Sequence, residues 1–179
     1  MGEQPISFPG KAVFAIVLAL GLCASSPARA ASPLLPLPVF NTGVDAAGAL
    51  LPGGSVDPHF TLVASPDPAF PGPDAIVVSA TAEGFWAPNG PNSKWIAPTA
   101  LQDYPTTGPC VLAGNYRYRT TVDLAGFDPA TVTLTGGWMS DNSGTELLLN
   151  GVATGFTSGS YGALSPFTLT SGFVSGTNT

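Results

Sequence analysis

Asp141, Asn142 and Glu146 lie close together in a chain with few charges, and their oxygens could bind a hard cation. Ca²⁺ takes carboxylate and amide oxygens as ligands, so these residue types at this spacing predict a candidate structural calcium site. The same segment also fits a simple turn, because Asp and Asn tolerate left-handed backbone angles and Gly adopts them freely. A third interpretation is that Asp141 and Asn142 contact an organic ligand.

Trp86 and Trp95 are the candidate ligand-binding aromatics, since flat rings stack on the C–H faces of sugars. They flank the segment APNGPNSK, which is rich in turn residues and is part of a long predicted loop. The alternative is that both rings pack this loop onto the core. Trp138 shares a predicted strand face with Leu134, and we therefore expect it in the core.

Catalytic arrangements are difficult to assemble from this sequence. Asp141 and Glu146 could form a pair of carboxylates about 5–10 Å apart, as glycoside hydrolysis requires, but nothing marks either as desolvated. His59 is the single histidine, and there is no G-x-S-x-G motif to present a nucleophile. A lone histidine does not build a typical zinc site. These features predict a protein that is not an enzyme.

The N-terminus has the organisation of a secretory signal. Lys11 precedes an uncharged run from Ala12 to Leu22, and Ala28-Arg29-Ala30 fits the small-x-small pattern of a cleavage site. The run is too short to span a bilayer. We therefore predict a signal peptide over residues 1–30 and export from the bacterial cytoplasm to the periplasm, the cell surface or the outside. The alternative is a buried helix of the folded domain.

Charge excludes two classes of partner. Cleavage after Ala30 takes Lys11, Arg29 and Glu3 from the 5 basic and 11 acidic residues, which leaves 3 and 10. Such a chain has no cationic surface for nucleic-acid phosphates or for anionic lipid. We expect no nucleic-acid partner and no transmembrane segment in the mature chain.

The remaining sequence predicts strands and turns. Residues 31–38 form a proline-rich leader, and period-two alternation follows in NYRYRTTVDL and TVTLTGGWM. TELLLNGVATG predicts a hairpin with a type I′ turn at Asn150-Gly151. Strands at this spacing indicate an all-β protein with one β-sandwich over residues 39–179. A Gly-Thr-Asn turn at the C-terminal end would lead into another strand, so we expect a truncated domain whose last strand is missing.

Several motifs resemble a group of exported bacterial proteins that carry a PEP-CTERM sorting signal. They are VFNTGVD, VDPHFTLV, SKWIAP, GNYRYRTTVDLAGFDPATVTLTGGWMSDNSG, LLLNGV and SPFTLTSGFVSGTNT, and the resemblance extends from about Val39 to Thr179. The resemblance implies a jelly-roll β-sandwich similar to galactose-binding-like domains, in which structural calcium is common. The sorting segment itself is absent from this sequence.

Together these features predict a secreted, non-catalytic β-sandwich that binds an extracellular polysaccharide or surface glycan, or that is part of an extracellular matrix. The alternative is a structural or adhesive surface protein without a small ligand. A glycoside-active enzyme is the least favoured function.

Overall fold

A computed structural model of the protein describes residues 13–20, 39–79, 86–102 and 111–179, of which 13–20 are described by their backbone pairing alone. The predicted cleavage site at residues 28–30 and the leader at residues 31–38 lie outside the described residues. The strands are β1 (Val13–Leu20), β2 (Val56–Ala64), β3 (Asp74–Val77), β4 (Ile96–Ala97), β5 (Arg117–Arg119), β6 (Val122–Asp123), β7 (Leu134–Asp141), β8 (Leu148–Leu149), β9 (Val152–Ala153), β10 (Ser165–Leu169) and β11 (Thr177–Asn178).

Seven of these strands form one antiparallel sheet in the order β10-β7-β1-β4-β3-β2-β5. Two short pairs, β11–β6 and β8–β9, accompany it. A single turn of 3₁₀ helix, Pro129–Thr131, precedes β7, and the Asp128 carboxylate caps it by accepting the N–H of Ala130. The prediction of an all-β fold is confirmed, and the curled antiparallel sheet is consistent with a β-sandwich.

Both faces of the sheet are covered where β7, β4 and β3 lie. Trp138, Ile96 and Val77 belong to the main core cluster, together with Phe60 and Phe167. The residue directly after each of Trp138, Ile96 and Val77 belongs to a second cluster, which also contains Trp86 and Trp95. These three residues are Met139, Ala97 and Val78. Successive side chains of a strand point to opposite faces, so the two clusters occupy the two faces of one sheet.

Several local predictions are confirmed. Trp138 is 2% exposed, as expected for a core residue. The β8–β9 hairpin turns at Asn150 and Gly151, whose φ angles of 53° and 79° are the positive pair that a type I′ turn requires. In β5 the arginines are exposed, while Tyr118 between them packs against the main cluster.

Three expectations differ from the structure. The sequence predicts a short strand around Val39–Thr42, but residues 39–42 form none, because Thr42 and Gly43 turn and Val44 makes an isolated bridge to Leu50. The predicted strand from residue 116 to 124 is divided into β5 and β6, which pair with β2 and β11. The apolar run at the N-terminus, β1, is a strand and not the buried helix considered as the alternative to export, in keeping with its Val, Ile and Phe content.

Candidate ligand-binding groove

A groove with a volume of about 670 Å³ lies between the segment leading into β5 and the connection from β7 to β8. Its lining includes Tyr116, Arg117, Arg119, Asp141, Asn142 and Glu146. This volume is within the range of small-ligand sites. The groove therefore brings the three residues of the predicted calcium site next to two tyrosines and two arginines that the sequence placed on a separate strand.

Aromatic side chains form one wall and the floor of the groove. Tyr116 is partly exposed at the rim, and its hydroxyl donates a hydrogen bond to the Leu112 carbonyl at 2.7 Å. Tyr118 lies deeper, and burial, followed by the effect of Tyr116, raises its pKa well above the ordinary 10.0. Trp138 closes the floor from the main core. Tyr116 is thus an aromatic ring that a ligand in the groove can reach from the rim.

Asp141 connects the groove to the opposite face of the sheet. It is the last residue of β7, and its Oδ2 accepts a hydrogen bond from the Trp86 indole N–H at 3.1 Å. The sequence proposed Asp141 and Trp86 separately as ligand contacts. The structure joins them, so the carboxylate holds the segment that begins at Trp86 against the end of β7.

Glu146 has a structural role at the hairpin. Its Oε1 accepts hydrogen bonds from the backbone N–H groups of Thr154 at 3.1 Å and Gly155 at 3.0 Å. These bonds fix the chain that leaves β9 beside the chain that enters β8. Asn142 is exposed and lines the same groove.

The calcium site stays a prediction. Among the described residues, no group of three or more His, Cys, Asp and Glu side chains is placed so that it could hold a metal ion. Asp141 and Glu146 each already accept protein N–H groups through one carboxylate oxygen.

Trp86 and Trp95 pack against each other beneath the loop. They are 8% and 1% exposed, their ring centroids are 5.1 Å apart and their planes are inclined by 39°. The indole N–H of Trp95 donates to the Ala87 carbonyl at 2.9 Å, and its backbone N–H donates to Asn89 Oδ1 at 3.0 Å. This is the arrangement expected of rings that pack the loop onto the sheet. Sugar stacking by these two rings stays a prediction, and their burial does not favour it.

His59 lies in β2 and stacks face to face on Phe40, with ring centroids 3.6 Å apart and planes 1° from parallel. Its neighbour Asp57 uses both carboxylate oxygens as acceptors: Oδ1 for the N–H groups of His59 and Phe60, and Oδ2 for that of Gly43. The Asp57 carboxylate is therefore a structural acceptor for the chain at the start of β2.

Sequence reasoning missed two polar residues that organise the chain around the hairpin and the groove. Asn178 is fully buried, and its amide accepts from Asn150 and Val174 and donates to the carbonyls of Val174 and Gly176. Asp67 accepts the N–H of Leu112 and so holds the segment that leads to Tyr116. A lone Asn in a polar end segment carries no signal of burial, whereas Asp67 in SPDPAF had the signature of a turn.

No protein-family model matches the chain, and no curated protein or solved structure matches it either. Within the described ranges, no helix has the length and hydropathy needed to cross a membrane.

Proposed function

We propose that the protein is an exported, non-catalytic β-sandwich of the jelly-roll, galactose-binding-like kind, and that it binds a glycan of an extracellular polysaccharide or cell surface in the groove beside β5. The observation that carries this proposal is the combination of a partly exposed Tyr116 ring with the exposed side chains of Arg117, Arg119 and Asn142 around one groove. Sugar rings present an apolar C–H face and a rim of hydroxyl groups. An aromatic ring satisfies the first, and guanidinium and amide groups satisfy the second.

The positions of the carboxylates support the non-catalytic part of the proposal. A glycoside hydrolase needs one carboxyl group free to donate a proton and another to act as base or nucleophile. Here Asp141 accepts the Trp86 indole N–H, and Glu146 accepts two backbone N–H groups. Each carboxylate is thus engaged in holding a loop in place.

Binding is tested on a glycan array with the full chain, followed by affinity measurements on two variants. Tyr116→Leu removes the ring and should weaken binding by about tenfold, the order of one aromatic stacking contact. Tyr116→Phe keeps the ring, loses the hydroxyl together with its hydrogen bonds to Leu112 and Ser65, and should bind like the wild type. Equal affinities of the leucine variant and the wild type would remove Tyr116 from the site. An array without any bound glycan would contradict the proposed function.

A structural or adhesive surface protein without a small ligand is the second candidate, and the burial of Trp86 and Trp95 favours it. The same array separates the two candidates, because an adhesive unit would bind no isolated glycan. Export is tested independently: mass spectrometry of the protein recovered outside the cytoplasm should give a chain that begins at Ala31. A recovered chain that still contains residues 1–30 would contradict the predicted cleavage.

A further inference from the structure

We propose that the position of β1 in the sheet is a strand-accepting slot, and that in the exported protein it is filled by an uncharged apolar segment of another polypeptide. This inference rests on the export and cleavage proposed above. It goes beyond glycan binding, because it concerns a protein partner at the position between β7 and β4.

The first step is the place of β1 in the sheet. Its eight residues pair in register with the eight residues of β7, from Val13 opposite Asp141 to Leu20 opposite Leu134. On the other side, Phe14 pairs with Ile96 of β4. In the order β10-β7-β1-β4-β3-β2-β5, β1 is thus the strand, among those that the structure describes, that links β10–β7 to the other four strands of the sheet.

The second step is a conflict between two roles of one segment. Val13–Leu20 lies within the uncharged run that predicts the signal peptide. A segment removed after Ala30 cannot remain in the folded domain. After cleavage, the backbone groups of β7 that pair with β1 would lose their partners.

The third step is the environment of those groups. With β1 in place, residues 137–140 of β7 are buried, and Trp138 and Met139 belong to the core clusters on the two faces of the sheet. Buried backbone N–H and C=O groups are paired in nearly all native proteins, because water cannot replace the lost partner. An open edge of this length also invites pairing with another strand. The slot therefore needs an occupant, and strand addition is the recognition mode that supplies one.

The fourth step defines the occupant. Because core clusters cover both faces of β7, a strand beside it must be apolar at successive positions and not at alternate ones. Val13–Leu20 has this character, with no charged or polar residue in eight. The β7 edge of a second copy does not fit between β7 and β4, since that strand already carries β10 on its other side. A free extended segment of a partner polypeptide meets both requirements.

The test uses the full chain, produced without translocation and carrying a specific-protease site in place of residues 25–30. After the cut, residues 1–30 should stay bound on size exclusion. An excess of a fluorescent peptide of residues 11–22, with solubilising lysines outside that sequence, should displace them and raise the fluorescence anisotropy. A peptide with Ile16→Asp and Val17→Asp is the control. Adjacent residues point to opposite faces, so at least one carboxylate faces a core cluster, and binding should weaken by at least about tenfold.

The pairing register has its own check. Ala15 and Met139 are direct cross-strand partners, so an Ala15→Cys, Met139→Cys variant should form a disulfide on oxidation. An Ala15→Cys, Thr135→Cys variant should not, because Thr135 pairs with Ala19, four residues along the strand.

Several results would overturn the proposal. One is that the cut protein releases residues 1–30 and stays monomeric with an unchanged melting temperature. Another is that the two peptides bind equally well. The third is that the cut protein dimerises and excludes the peptide. If the cut protein aggregates, rescue by the wild-type peptide alone supports the slot, and aggregation despite that peptide contradicts it. None of these measurements involves a sugar, so an array without bound glycan would leave the exchange result intact. If the exported protein keeps residues 1–30, the slot is filled by the chain itself, and the proposal that a partner polypeptide fills it is refuted.

Discussion

Asp57→Asn isolates one buried hydrogen bond at the start of β2. Asp57 Oδ1 accepts N–H groups at 2.8 and 3.1 Å, and Oδ2 accepts that of Gly43 at 2.6 Å. Asparagine has one acceptor oxygen, so it keeps the first pair of bonds and turns an amide donor toward Gly43. Loss of a buried bond to a charged acceptor costs about 1.5–3 kcal/mol. Relief from burying a charge offsets part of this cost, so we expect unfolding to become easier by about 1–2 kcal/mol.

Asp45→Asn is the matched control. Asp45 accepts two backbone N–H groups, those of Ala47 and Ala49 at 2.8 and 2.9 Å, through the single oxygen Oδ1. An amide retains both bonds, so the free energy of unfolding should change by less than about 0.5 kcal/mol. Urea unfolding of the three proteins measures both differences. Equal stabilities of the two variants would refute the role given to the Gly43 bond.

The pH dependence provides a second and independent check on Asp57. Burial raises the pKa of this carboxyl above its ordinary 3.8, against the lowering effect of the hydrogen bonds from Gly43, His59 and Phe60. The folded protein therefore takes up this proton before the unfolded chain does as the pH falls. The free energy of unfolding of the wild type therefore increases as the pH falls through the raised pKa of Asp57, and this increase is complete below 3.8. The same contribution is lost as the pH rises through that pKa. Asp57→Asn has no such titration, so its deficit relative to wild type should widen in acid. A deficit that narrows in acid would mean that the hydrogen bonds outweigh burial.

Three further perturbations test the packing and the groove. Gly144→Ala places a methyl group against the Trp138 ring and should cost about 1–3 kcal/mol in urea unfolding, whereas Gly159→Ala, with open space around it, should be nearly neutral. Asn178→Ala removes four hydrogen bonds made by a fully buried amide and should cost about 2–4 kcal/mol; a loss below about 0.5 kcal/mol would show that water replaces them. If calcium occupies the groove, EGTA should lower the melting temperature of wild type but not of Asp141→Ala, and an unchanged wild-type value would remove the ion.

The predictions that the structure confirms depend on the pattern of residues within a short stretch of sequence. The alternation around Tyr118 and the burial of Trp138 follow from the two-residue repeat of a strand, which a short window of sequence contains. The turn at Asn150-Gly151 follows from the backbone angles that these two residue types tolerate. In each case the physical cause acts between residues that are close in the chain.

Predictions that needed a distant partner were incomplete. Ile96–Ala97 is a sheet strand inside a segment that the sequence indicated as a long loop, and its two residues are too few to show alternation. Asp141 was predicted as a calcium or ligand contact, yet its Oδ2 accepts a hydrogen bond from a residue 55 positions earlier. The groove combines a predicted strand with a predicted turn, and nothing in either segment specifies that they meet.

The apolar run near the N-terminus shows a physical reason why a sequence alone does not assign one role to a segment. Translocation selects a short, uncharged, apolar segment, and a slot covered on both faces selects the same properties. Val13–Leu20 satisfies both conditions, so its residues cannot tell which one acts. The two roles differ in what happens to β7 afterwards: a retained strand leaves the sheet closed, and a removed one leaves the eight-residue edge of β7 to be filled. The state of that edge in the exported protein therefore decides between the two roles. Mass spectrometry of the exported protein shows whether residues 1–30 remain, and the peptide-exchange experiment shows whether the edge of β7 accepts a strand.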